Sequence, residues 1–403
     1  MVDDSTTKRA TDSGILNWLF YGAGGLFAVV TLFMVFRGWR DGVSLTPTSG
    51  TWIALAVDLK HGMFYRPMYG DLGYGGTRYM PLHFVLHALL MGLGLGPVAA
   101  GHALEGMAGL GLLFGIYRIL RGLGATARTA ACFAVMALAP KALQIGILSI
   151  RGDLLATTFV VLGLATCMAA KLGRWRLLGA SVLFALAFAT KPTSLYGVGA
   201  VVLWLLLQRQ IGKAAFLLVA TGVECAGVIG LTALATGGRF IEVFRACATA
   251  AGYNLPAGIW RLINMPALGM PVDFVFPILG FAGFLLVARK KLRSLPVVFF
   301  ACAVGSTAMV LGADGTNINH FVDVGVASVL VLAAWLFDGE TKGREFGLAA
   351  LLMVTLFASC STFEIARHNK EGAGYFDFGY SNSLHEAAAF IGKTDKPILA
   401  SHP

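Results

Sequence analysis

Charge is what this sequence has little of. Asp, Glu, Lys and Arg make up 13% of its 403 residues, where a soluble domain carries about 25%. A soluble all-helical chain is a poor alternative, because 51 glycines would cost helix stability in water. Cysteine is also sparse. Cys132, Cys167, Cys225, Cys247, Cys302 and Cys360 show no paired spacing, so neither a disulfide framework nor a zinc site is expected. All but one fall inside apolar runs, as small packing residues do. The chain has no P-loop, no GxGxxG in a nucleotide context, no HExxH and no CxxC. That argues against ATP-driven pumping, zinc proteolysis and soluble redox chemistry. Internal repeats are missing too, and a secondary transporter would be expected to show inverted ones.

What is present is apolar length. Hydrophobic residues reach 57%, in runs of about 20 residues, which is the length that crosses a bilayer as a helix. The fold class expected is all-α integral membrane. Spans are read at 15–36, 97–121, 126–149, 151–171, 174–191, 193–209, 213–236, 270–289, 294–312, 317–337 and 344–363, about eleven in all. Pro140 is a potential break near one end of the third. The net charge of +10 would suggest nucleic acid in a soluble protein. Here it reads as orientation charge in short loops, and no nucleic-acid partner is expected.

The segment Arg37–Pro97 stands apart. It holds Asp41, Asp58, Asp71, four Arg, Lys60 and three His among Tyr, Trp and Gly. Within it, Ser49–His61 reads as a short interfacial helix capped by Thr48 or Ser49. Pro81–Leu95 is apolar but short for a span. Charge decides how to read it. Five short loops carry Arg118, Arg121 and Arg128; Lys171, Arg174 and Arg176; Arg209 and Lys213; Arg289, Lys290, Lys291 and Arg293; and Lys342 and Arg344. If 81–95 does not cross, all five share a side with the N-terminus, as the positive-inside rule prefers.

The expected organisation follows from that choice. Residues 1–14 form a cytoplasmic tail, with an uncleaved anchor behind them, and 15–363 form the transmembrane domain. Residues 37–96 and 237–269 are two large outer loops. An outer tail at 364–403 reads as the start of a small soluble α/β piece. The protein is expected in a bacterial inner membrane, N-terminus inside and C-terminus outside. In 237–269, Phe240, Phe244, Tyr253 and Trp260 alternate with Arg239, Arg245 and Arg261, a headgroup-level mixture.

Ionisable residues at membrane depth are functional suspects. Arg78, Lys141, Arg151 and Lys191 gather at the outer ends of spans and are candidates for a lipid phosphate or pyrophosphate; snorkelling to the interface is the alternative. Glycosyl transfer from a lipid phosphate needs a base for the acceptor hydroxyl and cations or a metal for the leaving phosphate. Candidate carboxylates are Asp41, Asp71 and Asp153. For Asp153, a helix-start carboxylate on the dipole is slightly preferred to a catalytic role. Asp58, beside Lys60, reads as a solvated face. In the turn GADGTNINHFVD, His320 is a candidate for phosphate or proton handling, and Asn317 and Asn319 for sugar; a helix-start turn cluster is the bland alternative. Glu105 and His102 are three apart on one helix face, and Glu224 has no evident partner.

These features resemble, in order and spacing, the GT-C superfamily of membrane glycosyltransferases, of the polyprenyl-phosphate-sugar type related to the dolichyl-phosphate-mannose protein mannosyltransferases. The matching pieces are His61-Gly62 with Tyr65; Tyr79-Met80-Pro81-Leu82; Arg151-Gly152-Asp153-Leu154-Leu155-Ala156; Ala189-Thr190-Lys191-Pro192-Thr193; and Gly315-Thr316-Asn317-Ile318-Asn319-His320-Phe321. The resemblance implies a polyprenyl-phosphate-sugar donor, an acceptor on the extracytoplasmic side, and a first outer loop of interfacial helices. It adds Tyr79 to the substrate-binding set. It leaves a divalent metal open and names no other cofactor. Such enzymes carry an acidic residue near the start of the first interfacial helix. Here that place is Thr48-Ser49-Gly50, so Asp41 or Asp71 would substitute, or the scaffold would handle lipid without transfer.

Overall fold

The computed structural model describes residues 4–41, 47–70, 73–168, 172–250, 252–268, 271–313, 316 and 318–337. Asp71, Asp314, Asn317, the expected span 344–363 and the tail 364–403 lie outside them, as do the side chains of Asp41 and Lys141.

Helices dominate the described residues, and their ends follow local chemistry. Helix α1 (Asp4–Asp41) leads to α2 (Pro47–Lys60), which opens on a proline, the residue whose missing N–H costs least at a first helical position. Ser49 is not its cap. It lies inside α2, and its Oγ accepts the backbone N–H of the distant Ile150 at 3.2 Å. A two-residue hairpin, β1 (Tyr69–Gly70) with β2 (Gly73–Tyr74), precedes α3 (Leu82–Gly92). Eleven residues of α3 rise about 17 Å, well short of a hydrocarbon core of about 30 Å. Gly94, at φ +97°, turns the chain away, and Pro97 opens α4 (Pro97–Gly122).

The expected span 126–149 is two pieces, α5 (Ala127–Met136) and α6 (Lys141–Leu148). Pro140 is the cause: it has no N–H to continue α5 and pushes its predecessor out of helical geometry. α6 then meets α7 (Gly152–Cys167) at 111°, through an extended corner at Ser149–Arg151. α8 (Arg174–Thr190) ends on a 3-10 turn at Pro192–Leu195, followed by α9 (Tyr196–Leu207) and α10 (Ile211–Ala235). The region expected at the interface forms α11 (Arg239–Ala250) and α12 (Leu255–Leu268). α13 (Pro271–Lys291) and α14 (Leu295–Val310) precede a second 3-10 turn, Ile318–Phe321, and α15 (Val322–Leu336).

Trp18–Arg40, Pro97–Gly122, Ile211–Ala235 and Asn319–Leu336 are long and apolar enough to cross a membrane, and the bent pair α6–α7 adds a fifth span if taken as one. The expected eleven are therefore not reached by length alone among the described residues. The break at Pro140 splits one of them into α5 and α6.

Two apolar cores result. The larger unites α4, α5, α7, α8, α9, α14 and α15. Small residues let these helices close on one another; at Gly280 of α13 an added Cβ would stand 2.4 Å from Ser328 Oγ of α15. The smaller core is built by Trp52, Tyr65, Met80, Phe84, Ile150, Phe188 and Phe240 with their neighbours. It fastens α2 and α3 onto α4, the α6–α7 corner, the end of α8, and α11.

Candidate functional site

The first turn of α7 sits at this junction. Gly152 lies against Trp52 of α2 and Thr190 of α8, the nearest atoms about 3 Å from where its Cβ would be. Next to it, Asp153 is only 8% exposed. A buried carboxylate survives at such depth only when paired, and Asp153 is paired from three directions. Lys191 Nζ, at the end of α8, donates to Oδ1 at 2.5 Å. Asn319 Nδ2, from the second 3-10 turn, donates to the same oxygen at 2.9 Å. Arg151 Nε lies 3.3 Å from Oδ2. Lys191 also donates to His320 Nδ1 at 3.3 Å. The cluster thus joins Arg151-Gly152-Asp153, Thr190-Lys191-Pro192 and Ile318-Asn319-His320, stretches far apart in sequence. One turn along α7, Thr157 donates to Asp323 at 2.5 Å, placing a second carboxylate beside the first.

The aromatic rings of α2 and the loop before α3 border this cluster. Trp52 stacks on Tyr79 at 4.3 Å between centroids and meets the His83 ring edge-on at 4.6 Å. Burial raises the Tyr79 phenol above its ordinary range; the charge of Arg151 lowers it, Asp153 raises it and Arg78 lowers it again. Tyr79 is therefore within electrostatic reach of both arginines. Arg78 itself is exposed. Two cations meet one carboxylate at the contact itself, and Arg78 adds a third nearby, a balance suited to an anion.

The sequence-level candidates separate accordingly. Arg151, Asp153, Lys191, Asn319 and His320 come together, with Tyr79 and Arg78 at the border. The amide nitrogen of Asn319, expected for sugar, is engaged by Asp153. Lys141 begins α6, which packs against the 3-10 turn carrying His320; Asp41 ends α1. Asp71 and Asn317 lie outside the described residues. Asp58 is not a simple solvated face, for it forms a two-pronged pair with Arg66, both distances 2.5 Å. Lys60 instead reaches the Met91 carbonyl at 3.3 Å. Arg239 and Arg261 also bind backbone, Arg239 at the Tyr65 carbonyl and Arg261 at those of Leu311 and Ala313. Glu224 accepts from Ser181 Oγ at 3.0 Å.

Sequence spacing suggested His102 as the companion of Glu105. The His102 ring stacks instead on Trp39 at 5.4 Å, and Glu105 Oε1 takes His83 Nε2 and the Arg151 backbone N–H, each at 2.8 Å. Nothing in local spacing could have found those partners, which are distant in the chain. Thr157 was findable: it lies four residues after Asp153, on the same face of one helix. Among the described residues, no group of three or more His, Cys, Asp or Glu is placed to hold a metal ion.

No protein-family model and no curated protein sequence matches the chain. Solved structures do. ArnT from Cupriavidus metallidurans bound to undecaprenyl phosphate superposes with a TM-score of 0.62 at 16% identity, over 82% of this chain and 62% of that one. ArnT in its apo state gives 0.57 at 16% identity, over 90% and 69%. The apo oligosaccharyltransferase of Archaeoglobus fulgidus gives 0.51 at 12% identity, over 92% and 55%. The chain spans less than two thirds of the length of the lipid-bound ArnT it resembles. The described helices share the overall fold of ArnT and of the archaeal oligosaccharyltransferase.

Proposed function

We propose that the protein is a membrane glycosyltransferase that moves a sugar from a polyprenyl-phosphate donor to an acceptor on the extracytoplasmic side. The observation that carries this reading is the convergence of Arg151, Lys191 and His320 on one buried corner. Arg78 and Tyr79 stand beside it. A lipid phosphate is the anion that a cationic corner in a membrane bundle would meet, and the ArnT neighbour is a structure bound to undecaprenyl phosphate.

The chemistry is a displacement. An acceptor hydroxyl oxygen attacks the sugar carbon attached to phosphate, the carbon–oxygen bond to phosphate breaks, and the lipid phosphate leaves with the electron pair. A base takes the hydroxyl proton. Arg151, Arg78 and the remaining donors of Lys191 stabilise the charge that develops on the leaving phosphate. Asp153 holds the cations in place rather than serving as base, because both its oxygens already face them. The base is Asp41 or Asp71.

A second reading keeps the scaffold and omits the transfer: a protein that binds lipid or glycan. It is favoured by one observation. Asp153, Asp323 and Glu105, the described carboxylates at this corner, are all engaged by donors from within the chain. Purified protein given a radiolabelled polyprenyl-phosphate sugar and candidate acceptors separates the two. Labelled product is expected; saturable binding with no product under any acceptor would leave the second reading standing.

A further inference from the structure

Glu105 is a carboxyl placed where a carboxyl is expensive. It lies in α4, about 12 Å from the helix start, and is fully buried. Apart from His102, which stacks on Trp39, its neighbours along α4 are small or apolar, so packing alone would favour Leu or Met there. What it does instead is collect donors from two other parts of the chain. Oε1 accepts the backbone N–H of Arg151 at 2.8 Å and lies 2.8 Å from His83 Nε2 of α3.

The Arg151 N–H belongs to the extended corner between α6 and α7, where no helical carbonyl is available to receive it. The preceding N–H, of Ile150, goes to Ser49 Oγ of α2 at 3.2 Å. Ile150 is also pressed against α4 so closely that a Cβ at Gly101 would stand 2.5 Å from its Cδ1. Consecutive backbone donors are thus received by side chains of two different helices, and the corner cannot slide along either. His83 carries the linkage further, since Trp52 packs against its ring and stacks on Tyr79.

We propose that Glu105 is a positioning residue for the anion site: by accepting the Arg151 N–H and tying it to His83, it fixes the backbone from which the Arg151 guanidinium reaches the lipid phosphate. This rests on the functional reading given above. Its reach is through geometry, not contact, because Glu105 meets the Arg151 backbone N–H and not the guanidinium.

The test uses the full chain in nanodiscs, with undecaprenyl phosphate as the probe and hydrogen exchange as a second readout. Glu105→Leu should weaken binding by about tenfold or more and speed exchange in the peptide holding Ile150 and Arg151. Glu105→Gln keeps a carbonyl oxygen in place and should restore both to near wild type. Arg151→Met should weaken binding, and adding Glu105→Leu to it should weaken binding no further. The inference is overturned if Glu105→Leu binds like wild type, if Glu105→Gln is as poor as Glu105→Leu, or if exchange at the corner is unchanged. Should Glu105→Leu not fold, Glu105→Met, which keeps side-chain length without the acceptor, takes its place under the same criteria. A wild type that does not bind the probe, or an Arg151→Met variant that binds it undiminished, gives a different pattern: the anion site itself is then wrong, and this inference falls with it.

Discussion

Lys191 and Asp153 face each other across the ends of two helices, Nζ to Oδ1 at 2.5 Å, with side chains only 18% and 10% exposed. Removing one partner of such a pair leaves a charge buried without its main compensation. Lys191→Met alone is expected to destabilise the protein by about 3–5 kcal/mol. Lys191→Met combined with Asp153→Asn should cost less than the two single changes together, with a coupling of about 0.5–3 kcal/mol. Thermal unfolding in detergent measures all four members of the cycle. Strict additivity would mean that the pair contributes nothing of its own.

Asp41→Asn and Asp71→Asn address the base. One of them should abolish transfer, by about a hundredfold or more, while unfolding at the wild-type temperature. Full transfer by both single variants and by the double variant would remove this pair from the mechanism.

Tyr65 gives a pH signature outside the spans. Its phenol is almost fully buried and donates to the Tyr79 carbonyl at 2.8 Å. Burial pushes it well above the ordinary value of 10.0. Because the folded value is the higher one, its contribution to stability is complete below about pH 10 and is lost as pH rises beyond that. Tyr65→Phe should cost about 1 kcal/mol near neutrality and lose stability less steeply between about pH 9 and pH 11. Parallel alkaline slopes for the two proteins would contradict this.

Cysteine labelling tests the side on which α3 ends. With the native cysteines replaced, single cysteines at Gly92 and Gly124 flank α4. They should react with an impermeant maleimide from opposite sides of oriented membranes. Position 92 should be reached from outside and position 124 from inside; the opposite assignment would overturn the topology argued from loop charge.

Much of the bundle was legible in the sequence because lipid imposes one dominant rule, apolar length, and composition reports it directly. The short α3 was legible for the same reason: Pro81–Leu95 is too brief to cross. Pro140 announced a break but not the bend that follows, since the 111° between α6 and α7 is set by packing against Trp52, Gly101 and Ser49 rather than by a local signal. Within the site, Arg151, Asp153, Lys191 and His320 were findable because ionisable groups at depth are rare enough to stand out. Their pairing was not. The use of Asn319 on Asp153, and of Glu105 on Arg151, depends on which spans touch, and hydropathy carries no such information. Asp58 was misread for a related reason: its partner Arg66 lies beyond the end of its own helix.

Tyr65 holds a positive φ of +59°, a conformation costing a non-glycine residue roughly 1–2 kcal/mol. Its carbonyl is gripped by Arg239 of α11 at 3.0 Å, and its ring packs on Phe240 at 5.2 Å. The strained residue is thus a latch whose tension is maintained by a helix distant in sequence. Any parting of α11 from the loop before α3 must release the Tyr65 carbonyl and let its backbone relax in the same movement, so the widening of that seam is one cooperative event and not two independent ones.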